Sequence, residues 1–312
     1  MTLNVYFAAD PADWPEYRRP LAKALSDAGL DARLSNEAPV PAAVEYIVFS
    51  PGGTIEDFRP YTGAKAVLNL WAGVERIVGN PTLTQPLCRM VDPAMTETMV
   101  EYVTGHVLRH HLGMDAHILG QDGIWRHGAI PPLARERPVA ILGMGELGQA
   151  VARALIALNF PVRGWSRTPR AVPGVATDFG AEGLTRVLAG AQVVILLMPN
   201  TPETANTLNA ERLALLAPGA FIINPGRGPL IDDAALLAAL DSGQVGHATL
   251  DVFRVEPLPP DHPFWRHPRV TVTPHIAAQT RPETASAVVA ENIRRAEAGE
   301  PLLHLVDRTR GY

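Results

Sequence analysis

The sequence predicts an α/β protein built on doubly wound parallel sheets, and two observations support that prediction. Short apolar runs alternate with amphipathic stretches along most of the 312 residues, as they do where helices connect parallel strands. One unit, residues 138–170, combines a strand, a glycine-rich turn, a helix and a second strand within about thirty residues. This order is typical of a dinucleotide-binding unit, so we expect the larger sheet to bind a nucleotide.

The glycine-rich turn follows an apolar run at 139–142 that suits a buried parallel strand. The spacing G-x-G-x-x-G places one glycine for a tight turn, one for the approach of a pyrophosphate and one for close helix packing. The next helix would offer free N–H groups and the positive end of its dipole. The predicted diphosphate contacts are Gly143, Met144, Gly145, Glu146, Leu147 and Gly148.

The residues after the second strand of this unit, near 161–165, indicate which dinucleotide binds. An acidic residue there would accept hydrogen bonds from both ribose hydroxyls of NAD, but this chain has Ser166, Arg167, Thr168 and Arg170. An arginine can bind a 2′-phosphate bidentately, so we expect NADP(H) to be favoured over NAD(H). The alternative is that these arginines are only solvated loop charges.

The remaining elements follow in chain order. Residues 1 to about 95 read as a smaller α/β unit, with strands near 3–8, 32–34, 46–49 and 66–70 and a helix at 17–28. A capping box at Thr98–Glu101 predicts a long helix to about residue 119. The larger unit continues with strands near 193–197, 221–223, 248–252 and 270–273 and helices at 210–216 and 233–240. A last helix at 281–298 follows the final strand and is expected to cross back to the smaller unit.

The predicted long helix carries His106, His110 and His117. Histidines at i and i+4 share a helix face and could hold a metal, but a polar face explains them more simply. We therefore predict no metal site. The single cysteine, Cys88, excludes an internal disulfide, suits a reducing compartment, and is read as a small buried apolar residue.

Composition narrows the functional class. A net charge of −5 argues against a general nucleic-acid-binding protein. No apolar run approaches the roughly 18 residues of a membrane span, and no basic region followed by an apolar stretch opens the chain. These features predict a soluble cytoplasmic protein with no nucleic-acid or membrane partner.

Three side chains with catalytic chemistry lie just after predicted strands. Arg227 follows 221–223, Glu256 follows 248–252, and His275 follows 270–273. Ligands of doubly wound sheets bind outside the carboxyl ends of the strands. Reduction of a 2-keto acid needs a cation for the carboxylate and carbonyl, a proton donor, and a group that orients the donor, and these residue types supply all three.

Eight segments form an ordered set of motifs along the chain. They are Trp-Ala-Gly-Val-Glu (71–75), Leu-Gly-Met-Gly-Glu-Leu-Gly (142–148), Trp-Ser-Arg-Thr (165–168), Pro-Asn-Thr-Pro-Glu-Thr (199–204), Asn-Pro-Gly-Arg-Gly (224–228), residues 250–260, Thr-Pro-His-Ile-Ala-Ala (273–278) and the ending 306–312. On these motifs the chain resembles the D-isomer-specific 2-hydroxyacid dehydrogenase family, and most closely its glyoxylate/hydroxypyruvate reductase A branch.

The resemblance implies two Rossmann-like domains with the active site in the cleft between them. Residues 1–97 with 282–312 would bind the substrate, and residues 98–281 would bind the dinucleotide. The family also implies a homodimer built largely on the dinucleotide-binding domain. The reaction it implies is NADPH-dependent reduction of a small 2-keto acid, such as glyoxylate or hydroxypyruvate.

Roles follow residue by residue from the matching motifs. Arg227 would bind the substrate carboxylate and carbonyl, and His275 would be the acid/base, oriented by Glu256. Asp251 would lie near the nicotinamide carboxamide, although a strand-end cap explains it equally well. The remaining contacts implied are Pro199 and Thr204 for the cofactor, and the backbone N–H groups of Trp71, Ala72 and Gly73 for the substrate carboxylate.

Trp71 departs from the family pattern, which has a small residue at this position. It either narrows the substrate pocket, which favours short substrates, or packs between domains. Two other functions stay open from the sequence. One is a different enzyme of the family, such as a D-lactate-type dehydrogenase, and the other is a non-catalytic dinucleotide-sensing protein on the same fold.

Overall fold

A computed structural model describes residues 2–37, 40–125, 128, 130–309 and 311 of the protein. The chain forms two compact units. The smaller unit joins Met1–Met95 to Thr280–Tyr312, and the larger unit is Thr96–Gln279. Within the family-like ending at 306–312, Arg310 and Tyr312 lie outside the described residues.

The smaller unit contains a parallel sheet of five strands in the order β2-β1-β3-β4-β5. Its strands are β1 (Leu3–Phe7), β2 (Ala32–Ser35), β3 (Tyr46–Phe49), β4 (Ala66–Asn69) and β5 (Leu87–Cys88). All residues of β3 and β4, two of the three inner strands, are buried, as expected of parallel strands covered on both faces. Helices α1 (Trp14–Asp27) and α8 (Pro282–Glu297) pack against each other.

Cys88 ends β5 and is 2% exposed, which agrees with its prediction as a small buried residue. Burial raises the pKa of its thiol to about 11, so the thiol stays protonated near neutral pH. Strand β5 itself was not predicted from the sequence, because two residues are too short a run to show a period.

The larger unit contains a parallel sheet of seven strands in the order β12-β11-β10-β9-β6-β7-β8. The strands are β6 (Val139–Leu142), β7 (Val162–Ser166), β8 (Ala176–Phe179), β9 (Val193–Leu196), β10 (Ala220–Asn224), β11 (Val245–Leu250) and β12 (Val270–Val272). The helices are α2 (Pro93–His111), which begins in the smaller unit, α3 (Met114–Leu119), α4 (Glu146–Ala157), α5 (Gly180–Leu188), α6 (Ala210–Leu213) and α7 (Asp233–Ser242). The predicted fold class, two α/β units with parallel sheets, is confirmed.

The predicted long helix is wrong at its start and near its end. It begins at Pro93, where Oδ1 of Asp92 accepts a hydrogen bond from the Met95 N–H at 3.0 Å, so Thr98 lies inside the helix rather than at its cap. It stops at His111 because Gly113 adopts a left-handed conformation with φ of 63°. A short helix, α3, then resumes at Met114.

The interpretation of the histidines as a polar helix face is wrong for His110. This residue is 6% exposed, its ring stacks on Phe221 at 4.9 Å, and its Nε2 hydrogen-bonds to the Thr249 hydroxyl at 2.9 Å. The ring of His247, on β11, lies 4.8 Å from it. His110 is therefore part of the packing between α2 and the sheet, whereas His117 is exposed on α3.

Among the described residues, no helix has both the length and the apolar character needed to cross a membrane.

The two packed histidines predict that acid destabilises the larger unit. Burial lowers the pKa of His110 to about 3 and that of His247 to about 4, and the positive charge of Arg109 adds to both shifts. An unfolded histidine titrates near pH 6.5, so the unfolded chain binds more protons below that pH. Above about pH 6.5 the two histidines therefore do not reduce the free energy of unfolding. As the pH drops toward 4, that free energy falls by up to about 1.4 kcal/mol per pH unit for each histidine.

A His110→Gln variant retains a group that can hydrogen-bond to Thr249 but has no proton to gain. Its melting temperature should fall less between pH 7.5 and pH 5 than that of the wild type. His117→Gln, which changes an exposed histidine, serves as the control. Equal losses in the wild type and His110→Gln would show that His110 does not contribute to the acid sensitivity.

Candidate active site

The glycine turn between β6 and α4 has the geometry of a diphosphate cradle. Gly143 has φ of 110°, and a Cβ there would lie 2.5 Å from the Leu197 carbonyl oxygen. A Cβ on Gly148 would lie 1.9 Å from the Gly143 carbonyl oxygen, so α4 approaches the turn as only glycine permits. A Cβ on Gly145 would meet nothing within 4 Å. Backbone atoms thus leave no room for a side chain at Gly143 and Gly148, whereas the space beside Gly145 is open. This arrangement fits a dinucleotide phosphate.

Contacts around Met144 fix the orientation of this turn. The Met144 carbonyl accepts hydrogen bonds from Nε2 of Gln149 at 3.2 Å and from Nη1 of Arg170 at 2.9 Å. Helix α4 begins after Gly145 without a side-chain cap, so its first N–H groups are not capped by the protein. Arg170, a predicted cofactor contact, therefore lies beside the turn.

The loop after β7 carries the other residues expected to select the cofactor. The Ser166 hydroxyl donates to the Thr168 carbonyl at 2.7 Å, and Arg167 is exposed. The pKa of Glu203 is lowered, first by a hydrogen bond with Thr201 and also by the positive charge of Arg167. Arg167 and the segment at 199–204 are therefore close enough to interact.

The segment at 199–204 is folded into a compact loop. The Thr204 hydroxyl donates to the Pro199 carbonyl at 2.8 Å and accepts from the Thr201 N–H at 2.8 Å. Pro199 and Thr204, both predicted cofactor contacts, thus belong to one hydrogen-bonded turn at the carboxyl end of β9.

Arg227 is held in a loop that leaves β10. The Asn224 side chain spans this loop, accepting from the Gly226 N–H at 3.1 Å and donating to the Arg227 carbonyl at 3.0 Å. A Cβ on Gly228 would lie 2.0 Å from the backbone of Phe253, so the Arg227 loop packs directly on the segment after β11. Sequence analysis did not single out Asn224 or Gly228 individually, although both lie in the motif at 224–228.

His275 and Glu256 form a hydrogen-bonded pair. Nδ1 of His275 donates to Oε2 of Glu256 at 2.8 Å, and Oε1 of Glu256 accepts from the Phe253 N–H at 2.8 Å. Burial by itself would raise the pKa of Glu256, but these hydrogen bonds and the positive charges of His275 and Arg227 bring it below its ordinary value. Glu256 is therefore ionised at neutral pH, and it interacts with both other catalytic candidates.

Asp251 anchors the loop that presents His275. Its buried carboxylate accepts from the Thr273 hydroxyl at 2.6 Å and from the N–H groups of Ile276 and Ala277 at 2.9 Å each. Its carbonyl accepts from the His275 N–H at 2.8 Å. These bonds hold His275 at φ of 55°, a conformation that few residues other than glycine adopt. The contacts match the strand-end cap considered for Asp251, and its role beside a nicotinamide stays a prediction.

Tyr102 supports the Asp251 loop through a hydrogen bond to Thr273, a contact that the sequence did not indicate. The Thr273 hydroxyl gives its hydrogen to Asp251, so it accepts from the Tyr102 hydroxyl at 2.7 Å. Burial raises the pKa of Tyr102, which keeps it a donor at neutral pH. A tyrosine on a predicted helix carries no local signal that it supports a loop 171 residues away.

The structure thus brings Arg227, Glu256 and His275 together at the carboxyl end of the sheet that carries the glycine turn. The remaining predicted site residues, Trp71, Ala72 and Gly73, lie in a turn after β4 in the smaller unit. The Trp71 side chain is 43% exposed.

Comparisons with known proteins identify the family of the chain. Residues 104–277 match the family model described as D-isomer specific 2-hydroxyacid dehydrogenase, NAD binding domain. The chain is 45% identical over 257 residues to glyoxylate/hydroxypyruvate reductase A of Serratia proteamaculans. The aligned residues cover 80% of this chain and 82% of that protein. The corresponding protein of Yersinia enterocolitica is 44% identical with the same coverage.

Solved structures are similar over the full length. A D-isomer specific 2-hydroxyacid dehydrogenase from Xanthobacter autotrophicus Py2, in complex with NADPH and MES, has a TM-score of 0.91 and 41% identity, with 100% of both chains covered. An NADPH-dependent glyoxylate/hydroxypyruvate reductase from Sinorhizobium meliloti, in complex with NADP and sulfate, has a TM-score of 0.86 and 34% identity, with 99% of this chain and 100% of that chain covered.

Proposed function

The chain belongs to the D-isomer specific 2-hydroxyacid dehydrogenase family, and from this premise we propose that it reduces a small 2-keto acid to the 2-hydroxy acid with NADPH. Glyoxylate and hydroxypyruvate are the proposed substrates, because two relatives named glyoxylate/hydroxypyruvate reductase A are 44–45% identical to this chain. The observation that carries the proposal is the His275–Glu256 pair with Arg227 beside it, on the sheet that holds the glycine turn.

NADPH is the proposed cofactor because the turn fits a dinucleotide and the next loop carries arginines rather than an acidic residue. When bound, it would supply a hydride. The residues proposed to hold it are Gly143, Met144, Gly145, Glu146, Leu147, Gly148, Ser166, Arg167, Thr168, Arg170, Pro199, Thr204 and Asp251. Residues 98–281 would accordingly be the dinucleotide-binding domain, and residues 1–97 with 282–312 the substrate-binding domain.

His275 is the proposed proton donor. Because Nδ1 is engaged with Glu256, Nε2 is the ring atom left to give a proton to the oxygen of the reduced carbonyl. Ionised Glu256 stabilises the positively charged imidazolium and fixes the orientation of the ring. An oriented ring with a stabilised protonated form is what a general acid requires.

Arg227 is the proposed anchor of the substrate. Its guanidinium can bind the carboxylate and polarise the carbonyl of a 2-keto acid, and the loop that carries it is held at Asn224 and Gly228. The N–H groups of Trp71, Ala72 and Gly73 are proposed to bind the substrate carboxylate as well.

The proposed reaction is tested with a panel of 2-keto acids. The purified protein should oxidise NADPH, measured as loss of absorbance, in the presence of glyoxylate or hydroxypyruvate, and more slowly with longer 2-keto acids if Trp71 narrows the pocket. NADH should be a poorer donor. If NADPH binds and none of the panel supports its oxidation, the chain is a dinucleotide-binding protein of another function.

Two variants test the proposed role of His275 as the proton donor. His275→Ala should lower kcat by about 10²–10⁴-fold, the usual contribution of a general acid, while the Kd for NADPH stays unchanged. Glu256→Gln keeps the shape but removes the charge, so it should lower kcat less and shift its pH profile. Steady-state kinetics with fluorescence titration of NADPH measure both, and wild-type kcat in His275→Ala would refute this role.

A substitution of Arg167 tests the expected preference for NADPH over NADH. Arg167→Asp should weaken NADPH binding by about tenfold or more, because a carboxylate would repel the 2′-phosphate that an arginine attracts. Binding of NADH should change little or improve. Arg163→Asp, an exposed arginine on β7, is the matched control and should leave both affinities unchanged. An unaltered preference in Arg167→Asp would mean that another residue selects the cofactor.

A homodimer is the proposed assembly. Within the described residues, large apolar side chains are exposed along 112–133, including Ile118 at 62%, Leu119 at 81%, Trp125 at 89% and Ile130 at 94%. A surface this apolar is unusual for a monomer and suits an interface between copies of the chain. Sedimentation should give a dimer for the wild type and a monomer for Ile118→Asp combined with Leu119→Asp. A monomeric wild type would contradict this assembly.

A cytoplasmic location is proposed from the cysteine content. The one cysteine of the sequence, Cys88, is a buried free thiol, which suits a reducing compartment.

A further inference from the structure

We propose that Asn69 is a positioning residue that shapes the turn after β4 into a carboxylate-binding site. The inference rests on the proposed function only for the identity of the anion, the carboxylate of a 2-keto acid. Asn69 ends β4 and is 2% exposed, and it was not a candidate from the sequence. Its geometry indicates why a buried amide lies here.

The Asn69 side chain holds two carbonyl groups of the turn. Its Nδ2 donates to the Trp71 carbonyl at 2.7 Å and to the Gly73 carbonyl at 3.0 Å. Both hydrogens of one amide group are therefore used on the same short segment. A buried amide that makes two such bonds fixes the direction of both peptide groups.

Two further donors fix the neighbouring carbonyls. The Met90 N–H also donates to the Trp71 carbonyl, at 3.0 Å, and the Thr280 hydroxyl donates to the Leu70 carbonyl at 2.9 Å. The carbonyls of residues 70, 71 and 73 are therefore all directed toward donors of the smaller unit.

The fixed carbonyls determine where the N–H groups point. In a trans peptide, the carbonyl of one residue and the N–H of the next point in opposite directions. The N–H groups of Trp71, Ala72 and Val74 must therefore point away from the donors that hold the carbonyls. Across the described residues, the N–H groups of Trp71, Ala72, Gly73 and Val74 donate to no protein acceptor.

Successive backbone N–H groups that share one side of a turn form an anion-binding concavity. Such groups recognise a carboxylate by hydrogen bonds and carry no net charge. The site therefore discriminates 2-keto acids from the corresponding amides and aldehydes, which lack the anion. Asn69 acts on the substrate only through the backbone that it orients.

The test replaces the donor while keeping the size of the side chain. Asn69→Asp presents oxygen to two carbonyls, and Asn69→Leu removes the polar group. Both should raise the KM for glyoxylate by about tenfold or more and weaken inhibition by oxalate, with smaller changes in kcat. The Kd for NADPH should stay unchanged, because the glycine turn belongs to the other unit. Asn80→Ala is the control, since Asn80 also donates to a backbone carbonyl, that of Glu56 at 2.9 Å.

A second variant covers the case in which Asn69 substitutions do not fold. Thr280→Val removes only the hydrogen bond to the Leu70 carbonyl and should raise the same KM by a few-fold. Wild-type KM and oxalate inhibition in a folded Asn69 variant, or in Thr280→Val when neither Asn69 variant folds, would overturn the inference.

Direct binding separates this inference from the proposed reaction. Addition of oxalate to the ¹⁵N-labelled wild type should shift the amide resonances of Ala72 and Val74, which follow the two carbonyls that Asn69 holds, and the shifts should be lost in Asn69→Leu. If the wild type reduces no 2-keto acid but these amides still bind oxalate, the proposed reaction fails and the anion site stands. If the wild type is active and oxalate leaves these amides unmoved, the anion site fails alone.

Discussion

The hydrogen bond between Nδ1 of His275 and the Glu256 carboxylate is the interaction on which the account of this protein depends. It leaves one ring nitrogen free for proton transfer and places a negative charge beside the imidazole. The pair forms only because two loops from different strands meet. The Phe253 N–H holds the second oxygen of Glu256, and the loop anchored by Asp251 holds His275 in an uncommon backbone conformation.

Close backbone approaches create the frame around this pair. At Gly148 and Gly228 a side chain would overlap backbone atoms, and at Gly143 the conformation itself excludes most residues. The first two approaches pack α4 on its turn and the Arg227 loop on the segment that leads to Glu256. Both lie at the carboxyl ends of parallel strands, where the sheet leaves room for a ligand. The anion site proposed in the smaller unit follows the same rule, because Asn69 lies at the carboxyl end of β4.

The sequence was sufficient for most strands of the two sheets and for naming the catalytic candidates, because each depends on a local pattern. Apolar runs bounded by turn residues identified β6, β9 and β10, and the glycine spacing identified the turn that follows β6. Chemically distinctive residues after strand ends identified Arg227, Glu256 and His275. These residues lie close together because the carboxyl ends of parallel strands meet at one edge of the sheet, whatever length of chain separates them.

The features that were missed depend on contacts distant in sequence or on weak patterns. Strand β8 was not predicted, since Ala-Thr-Asp-Phe at 176–179 contains no apolar run and none of its residues is buried. Helix α5 is the exception, because it was missed although its apolar residues Leu184, Val187 and Leu188 recur at helical spacing. His110 looked polar because its burial depends on strands β10 and β11, which are more than 100 residues away. Asn69 was read as part of an apolar strand, and its function lies in carbonyls that the sequence does not display.

The tautomer of His275 tests the central claim most directly. In ¹⁵N-histidine-labelled protein, neutral His275 should carry its hydrogen on Nδ1 and none on Nε2. Glu256→Leu should abolish that preference. A neutral ring protonated on Nε2 in the wild type would contradict the account, because Glu256 would then not be holding the ring and the proposed proton donor would be the wrong atom.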